Sequence, residues 1–248
     1  MYARPSGSPF GESPFRQKGR TNRSPFRQKG RTPTAIPTTV TTMVRKPVTT
    51  GFWIGRLPHW EVEDGRYFVT IHLAGAIPAN GMKRIEQVAQ ELSNKPAVDS
   101  DSTMTLMRTI FRAMEEWLDR TPHCSLLSIP EIAQMVMEAI EHRVRIGHWV
   151  VYEYVLMPSH LHMFLSVAEG TLKESIEDFK RWTGHQAARI EELSEGRFWQ
   201  DEWFDHWSRS DEQDDRISLY IRRNPETAGL TDDFHQWPYG SWKSKSSQ

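Results

Sequence analysis

The pair His160 and His162 is the feature of this sequence with the most evident chemical use. The run His160–Val167 is apolar and predicts a β-strand, in which residues two positions apart project from the same face. Two imidazoles held side by side can bind one divalent cation. The spacing alone is also compatible with two histidines on a half-exposed sheet that make ordinary hydrogen bonds.

Tyr220 and Asn224 form a second candidate pair. They are four residues apart at the end of a predicted helix, Asp214–Arg223, and therefore lie on one helical face. A tyrosine can form a covalent intermediate, and an Asn carbonyl oxygen can bind a hard cation. A core tyrosine followed by a helix-ending Asn before Pro225 would show the same spacing.

The segment Phe198–Arg209 (FWQDEWFDHWSR) alternates aromatic and charged residues. Such a pattern suits the stacking of unpaired bases and the binding of phosphates. It is equally typical of an aromatic loop that packs on a sheet.

Several blocks together resemble a known family. Tyr154–His162 (YVLMPSHLH) resembles the Y-V-x-M-P-N-H-h-H block of single-tyrosine transposases of the insertion-sequence-200 type, and more closely that of REP-associated tyrosine transposases. Further blocks follow in the family's order: Phe179–Trp182 (FKRW), Phe198–Arg209, and Tyr220–Leu230 (YIRRNPETAGL). Pro58–Trp60 and Tyr67–Thr70 resemble the opening strand, so the likeness extends over about residues 51–244.

The resemblance implies a site and a chemistry. His160 and His162 would bind Mg²⁺ or Mn²⁺ with Asn224 as a third ligand, and Tyr220 would attack a DNA phosphate. The products would be a 5′-phosphotyrosine and a free 3′-OH. The substrate would be single-stranded or hairpin DNA, and the enzyme a monomer or homodimer. Ser159 departs from the family, which often has Asn or Asp at this position, and Ser208 replaces an apolar residue before Arg209.

The resemblance also suggests where DNA would bind. Lys180, Arg181 and Arg209 are the candidates for phosphate contacts, and Trp199 and Phe204 are the candidates for base stacking.

The predicted elements run strand, helices, two strands, helix, helix. The strands are Tyr67–Leu73, Trp149–Met157 and His160–Val167, the last two paired antiparallel across Pro158 and Ser159. The helices are Met82–Leu92, Met104–Leu118, Glu131–Arg143, Leu172–Leu193 and Asp214–Arg223, while 201–210 is predicted as loop and Trp242–Gln248 as frayed. This order indicates an α+β fold with helices covering an antiparallel sheet, and the resemblance narrows it to a ferredoxin-like HUH domain.

Residues 1–50 are predicted to be a disordered basic tail that precedes a folded part beginning near Gly51. Ser13–Thr21 (SPFRQKGRT) is repeated at Ser24–Thr32, and Met43 is an alternative start of the native protein. The tail holds ten basic residues and one acid, net +9, and the remainder holds 21 basic and 31 acidic residues, net −10. An acidic domain is an unusual partner for a polyanion, so DNA binding would require a local basic surface.

Cys124 is the one cysteine, which excludes an intrachain disulfide and favours a reducing, cytoplasmic location. Two other functions remain open at this stage. One is a histidine-pair nickase of the relaxase or replication-initiator type, which would lack the Asn-Pro and Ala-Gly-Leu ending. The other is a domesticated, non-catalytic nucleic-acid-binding protein.

Overall fold

A computed structural model describes residues 45, 48–93, 101–118, 124–190 and 197–245. Six strands lie in these ranges: β1 Thr49–Ile54, β2 Pro58–Val62, β3 Tyr67–His72, β4 Trp149–Leu156, β5 His160–Val167 and β6 Phe204–Trp207. Six helices accompany them: α1 Ala79–Ser93, α2 Asp101–Leu118, α3 Pro130–Arg145, α4 Leu172–Ile190, α5 Asp211–Thr227 and α6 Ser241–Lys245. Most of the predicted tail is outside the described residues, and β1 begins two residues before Gly51.

The main sheet has four antiparallel strands in the order β4-β5-β3-β6. β1 and β2 form a separate two-stranded antiparallel sheet. All six residues of β3 are buried, because this strand is central and both of its faces are covered. The predicted antiparallel pairing of β4 with β5 is confirmed.

The two sides of the main sheet carry different side chains. His160 and His162 of β5 lie on one side, together with Phe68 and Thr70 of β3, and this side is called the histidine face below. Helices α2 and α5 cover it, and Phe111 of α2 packs edge-on against Phe68 with 5.3 Å between ring centroids. The histidine pair is therefore enclosed between the sheet and these two helices. Helices α3 and α4 cover the opposite face.

The segment predicted as loop, 201–210, contains strand β6, so the prediction is wrong for Phe204–Trp207. Phe204 and His206 project to the histidine face, whereas Asp205 and Trp207 project to the opposite face. Asp205 is buried, and its carboxylate bonds His59 of β2. A strand with a buried carboxylate on one face lacks the apolar–polar alternation by which strands are recognised.

Helix α5 differs from its prediction at both ends. It begins three residues earlier than Asp214, because the Ser210 hydroxyl accepts a hydrogen bond from the Gln213 N–H and caps it. It also continues through Pro225, where the prediction ended it. The bonds resume immediately afterwards, with the Ala228 N–H donating to the Asn224 carbonyl at 2.9 Å. Asn224 therefore lies inside the helix, on the same face as Tyr220.

The C-terminal segment is also more ordered than predicted. Helix α6 covers Ser241–Lys245, and the Trp242 indole is buried and donates to the Trp237 carbonyl. Residues 246–248 of the predicted frayed end lie outside the described residues. No helix in the described ranges is long and apolar enough to cross a bilayer.

A buried charged cluster joins the β1–β2 sheet to β6. His59 Nδ1 bonds the Asp205 carboxylate, and its Nε2 lies 3.1 Å from Glu202 Oε2. Burial alone would lower the pKa of His59, but the charges and hydrogen bonds of Asp205 and Glu202 overcome it and raise the pKa to about 9. The imidazolium is therefore part of the folded state at neutral pH.

This cluster makes stability depend on pH. Because the folded pKa of His59 lies above its unfolded value, its contribution is complete below pH 6.5 and is lost as pH rises through about 9. The loss amounts to roughly 3 kcal/mol, at 1.36 kcal/mol per pKa unit. Lys180 acts in the opposite direction, because burial lowers its pKa to about 8.

Urea unfolding of wild type and Asp205→Asn across this range isolates His59, since Lys180 is common to both. We expect the difference in unfolding free energy between them to narrow as pH rises; a constant difference would contradict the assignment.

Candidate active site

The two histidines of β5 are held by hydroxyl groups of neighbouring residues. His162 Nδ1 lies 2.8 Å from Thr70 Oγ1, and His160 Nδ1 lies 3.0 Å from Ser159 Oγ. The two side chains are almost fully buried, at 0% and 2% exposure. Within the described part of the chain, neither Nε2 atom has a hydrogen-bond partner of normal geometry. Histidines that bind metals typically have this arrangement, in which one ring nitrogen is hydrogen-bonded to the protein and the other is available to the metal.

The site keeps both imidazoles neutral. Burial, and then the nearby His72, lower the pKa of His160 to about 3, although contact with Asn224 opposes the shift. Burial, and then the proximity of His160, lower the pKa of His162 well below its usual value. A metal ligand must be neutral imidazole, so both side chains are in the binding form.

Tyr220 and Asn224 of α5 face this pair. The Tyr220 ring lies edge-on to the His162 ring, with 5.4 Å between centroids. Asn224 is buried, and among the described residues its Oδ1 has no hydrogen-bond partner of normal geometry. The structure thus places all four residues singled out in the sequence at one location on the histidine face.

A fifth residue, Glu115 of α2, completes the cluster and was not predicted. The Tyr220 hydroxyl donates a hydrogen bond to Glu115 Oε2, and Glu115 Oε1 lies 3.7 Å from His162 Nε2. The sequence carried one sign of it, because Glu115 is an acidic residue within the apolar stripe of a predicted helix. Glu115 follows Phe111 by four residues on the face of α2 that packs on the sheet.

These residues fit a divalent cation. Glu115, His160 and His162 each offer one ligand atom, and these atoms lie within 4.8 Å of one another. A buried polar atom without a partner costs about 1–3 kcal/mol, and a bound cation would satisfy His160 Nε2, His162 Nε2 and Asn224 Oδ1 together. Mixed imidazole and oxygen donors are compatible with a divalent metal of the first transition row.

The comparison with solved structures concerns the whole fold. A REP-associated tyrosine transposase bound to a REP hairpin matches this chain with a TM-score of 0.50, over 79% of this chain and 87% of that one. The two chains share an α+β fold in which helices cover an antiparallel sheet. The predicted fold class is thereby confirmed, and at 15% sequence identity the likeness concerns the fold alone. No protein-family model matches the sequence, and no curated protein does.

Two of the predicted phosphate-binding residues lie on α4, away from the histidine face. They line a cavity of about 790 Å³ between α4, the β1–β2 sheet and residues 197–203. Lys180 lies over the Trp203 ring and donates to the Asp201 carbonyl. Arg181 is paired with Asp178 at 2.6 Å.

The other predicted DNA contacts lie in separate places. Trp199 is 4% exposed, and its indole N–H donates to the Thr183 hydroxyl. Phe204 is 3% exposed at the base of a second cavity, on the histidine face beside Tyr220. The Arg209 guanidinium lies 4.0 Å from the centroid of the Trp207 ring. The DNA-binding roles of all five residues stay predictions.

Proposed function

We propose that this protein is a metal-dependent DNA transposase or nickase that cleaves and rejoins single-stranded DNA, with Tyr220 as its nucleophile. The observation that carries the proposal is the Tyr220 hydroxyl bonded to Glu115 beside two buried imidazoles whose Nε2 atoms have no hydrogen-bond partner of normal geometry among the described residues. The similar fold belongs to a transposase bound to a REP hairpin, and this supports hairpin-bearing DNA as the substrate.

The metal would be held by His160, His162 and Asn224, and Glu115 Oε1 is placed to join them. When bound, Mg²⁺ or Mn²⁺ polarises the scissile phosphate and neutralises the charge that develops on it. Thr70 and Ser159 orient the two imidazoles through their Nδ1 atoms. Ser159 therefore does by a hydroxyl what a side-chain amide or carboxylate could also do at this position.

Tyr220 and Glu115 would perform the covalent step. Tyr220 Oη attacks the phosphorus while its proton passes to Glu115, which already accepts that hydrogen bond. The P–O3′ bond breaks, the 3′ oxygen takes a proton from solvent, and the 5′ phosphate stays on Tyr220. A DNA 3′-OH reverses these events by attacking the phosphotyrosine. Because the phosphotyrosine preserves the phosphodiester energy, rejoining requires no nucleotide cofactor.

The test is to trap the covalent complex. Wild-type protein is incubated with Mn²⁺ and a pool of DNA hairpins with randomised single-stranded flanks, labelled at either end, and then run on a denaturing gel. We expect a 3′ label to move with the protein and a 5′ label to appear on a shorter strand, with EDTA abolishing both. The lack of any adduct would refute the proposal, and a 5′ label on the protein would refute its polarity.

A further inference from the structure

A groove opens beside Tyr220 between helices α2 and α5, with a volume of about 540 Å³. Phe68 and Phe204 form its buried base, and the half-buried Phe111 and Ile217 form its walls. A cavity of roughly 300–1,000 Å³ is the usual size for a small organic ligand. The groove therefore has the size and the aromatic surface to receive a flat group of nucleobase dimensions.

The rim of this groove is basic. Arg108 and Arg112 of α2 and Arg216 of α5 are exposed there, and no carboxylate of the described residues lines it. None of the three makes an ion pair with any residue in the described ranges. Arg108 and Arg112 are also four residues apart on one helix, where like charges repel each other. An anion would relieve this repulsion.

The charge of the groove comes from these arginines and not from its histidine. The Gln213 side-chain amide donates to His206 Nε2 at 2.6 Å, which requires that nitrogen to carry a lone pair. Burial, and then the charges of Arg209 and Arg108, lower the pKa of His206 to about 3. At neutral pH the rim of the groove is therefore positively charged, and its aromatic interior is uncharged.

The larger cavity on the opposite side of the sheet is less suited to an anion. Glu177, Asp201 and Glu202 line it together with its lysines and arginines. Two of its basic residues are already engaged, since Arg181 pairs with Asp178 and Arg197 with Asp201. The groove between α2 and α5 therefore stands out on an otherwise acidic domain.

We infer that this groove binds an unpaired nucleotide of single-stranded DNA, with its base against Phe111 and its phosphates at Arg108 and Arg216. Stacking on an aromatic ring requires a base that is not already stacked in a duplex. Arg216 precedes Tyr220 by one helical turn, so the bound nucleotide adjoins the phosphate that Tyr220 would attack. This position beside the scissile phosphate rests on the proposed function; the binding of single-stranded DNA does not.

The test compares two double variants with equal change in net charge. Arg108→Gln/Arg216→Gln removes groove charge, and Arg84→Gln/Arg189→Gln removes two exposed arginines of α1 and α4. Fluorescence anisotropy measures binding to a labelled oligothymidylate of about 12 nucleotides. This length lies within the roughly 4–16 nucleotides that a single-strand-binding OB-fold domain covers. We expect the groove variant to bind at least about 10-fold more weakly. Its slope of log K against log salt should fall by about 1.4, at about 0.7 per phosphate contact. The control pair should match wild type.

Equal weakening by both double variants would overturn the inference, because it would show non-specific attraction only. Equal affinity of wild type for the oligothymidylate and for a duplex of the same length would also overturn it. So would an oligothymidylate that wild type does not bind.

A cross-link locates the base. An oligothymidylate carrying one 5-iododeoxyuridine is irradiated on wild type and on Phe111→Leu, and the linked peptide is identified by mass spectrometry. We expect attachment within α2 at Phe111, lost in the variant; attachment only at Trp203 or elsewhere on the opposite face would refute the groove. Because neither measurement requires cleavage, binding without a covalent adduct would refute the nicking proposal alone. An adduct without groove binding would refute the groove alone.

Discussion

The variant Tyr220→Phe is expected to abolish the covalent DNA adduct while the fold is kept. Phenylalanine preserves the edge-on contacts of this ring with Phe68 and Phe111, at 5.7 and 5.5 Å between centroids. The change removes the hydroxyl and its hydrogen bond to Glu115. Loss of one such bond costs about 1 kcal/mol of stability, whereas loss of a nucleophile lowers turnover by at least ~10³-fold. The adduct assay with end-labelled hairpins measures the loss.

The matched control is Tyr152→Phe. The Tyr152 hydroxyl is hydrogen-bonded to the Ser166 hydroxyl at 3.1 Å. This change therefore also removes one hydrogen-bonded hydroxyl group from a half-buried aromatic ring. We expect this variant to form the adduct at the wild-type rate. If Tyr220→Phe still forms an adduct, another residue is the nucleophile and the proposed mechanism is wrong.

The double variant His160→Gln/His162→Gln is expected to lose metal binding while it still folds in EDTA. Each imidazole offers a buried Nε2 that has no hydrogen-bond partner of normal geometry among the described residues, so the double change removes two candidate metal ligands. It also removes the Nδ1 hydrogen bonds to Ser159 and Thr70, at a cost of about 1 kcal/mol each in EDTA. In wild type, Mn²⁺ at 100 times its Kd should stabilise the folded state by about 2.7 kcal/mol. We expect that increment to disappear in the variant. Urea unfolding with and without Mn²⁺ measures both quantities.

His72→Gln is the control for this prediction. His72 is also buried on the sheet, as the partner of His160 in the register of β3 and β5. Its Nδ1 contacts the Leu73 carbonyl, and it is outside the Glu115, His160 and His162 group. Its metal response should equal that of wild type. A wild-type protein that Mn²⁺ does not stabilise would contradict the metal site itself.

The local elements were predictable because each depends on near neighbours in the chain. β3, β4, β5 and the helices α1 to α3 appear where apolar periodicity placed them. The two errors had different causes. β6 was missed because Asp205 is buried against His59, 146 residues away. The end of α5 was misplaced because Pro225 normally stops a helix, and here hydrogen bonding resumes after it.

By itself, the sequence determined the residue types and the spacing within each element: a histidine pair two apart on a strand, and Tyr220 and Asn224 four apart on a helix. Backbone periodicity alone places each pair on one face. Only the tertiary structure decided that the two faces meet, that Glu115 joins them from α2, and that three arginines surround the adjoining groove. The reason is that α2 reaches the site by packing its apolar stripe on the sheet, and no local pattern states which sheet face a helix will cover.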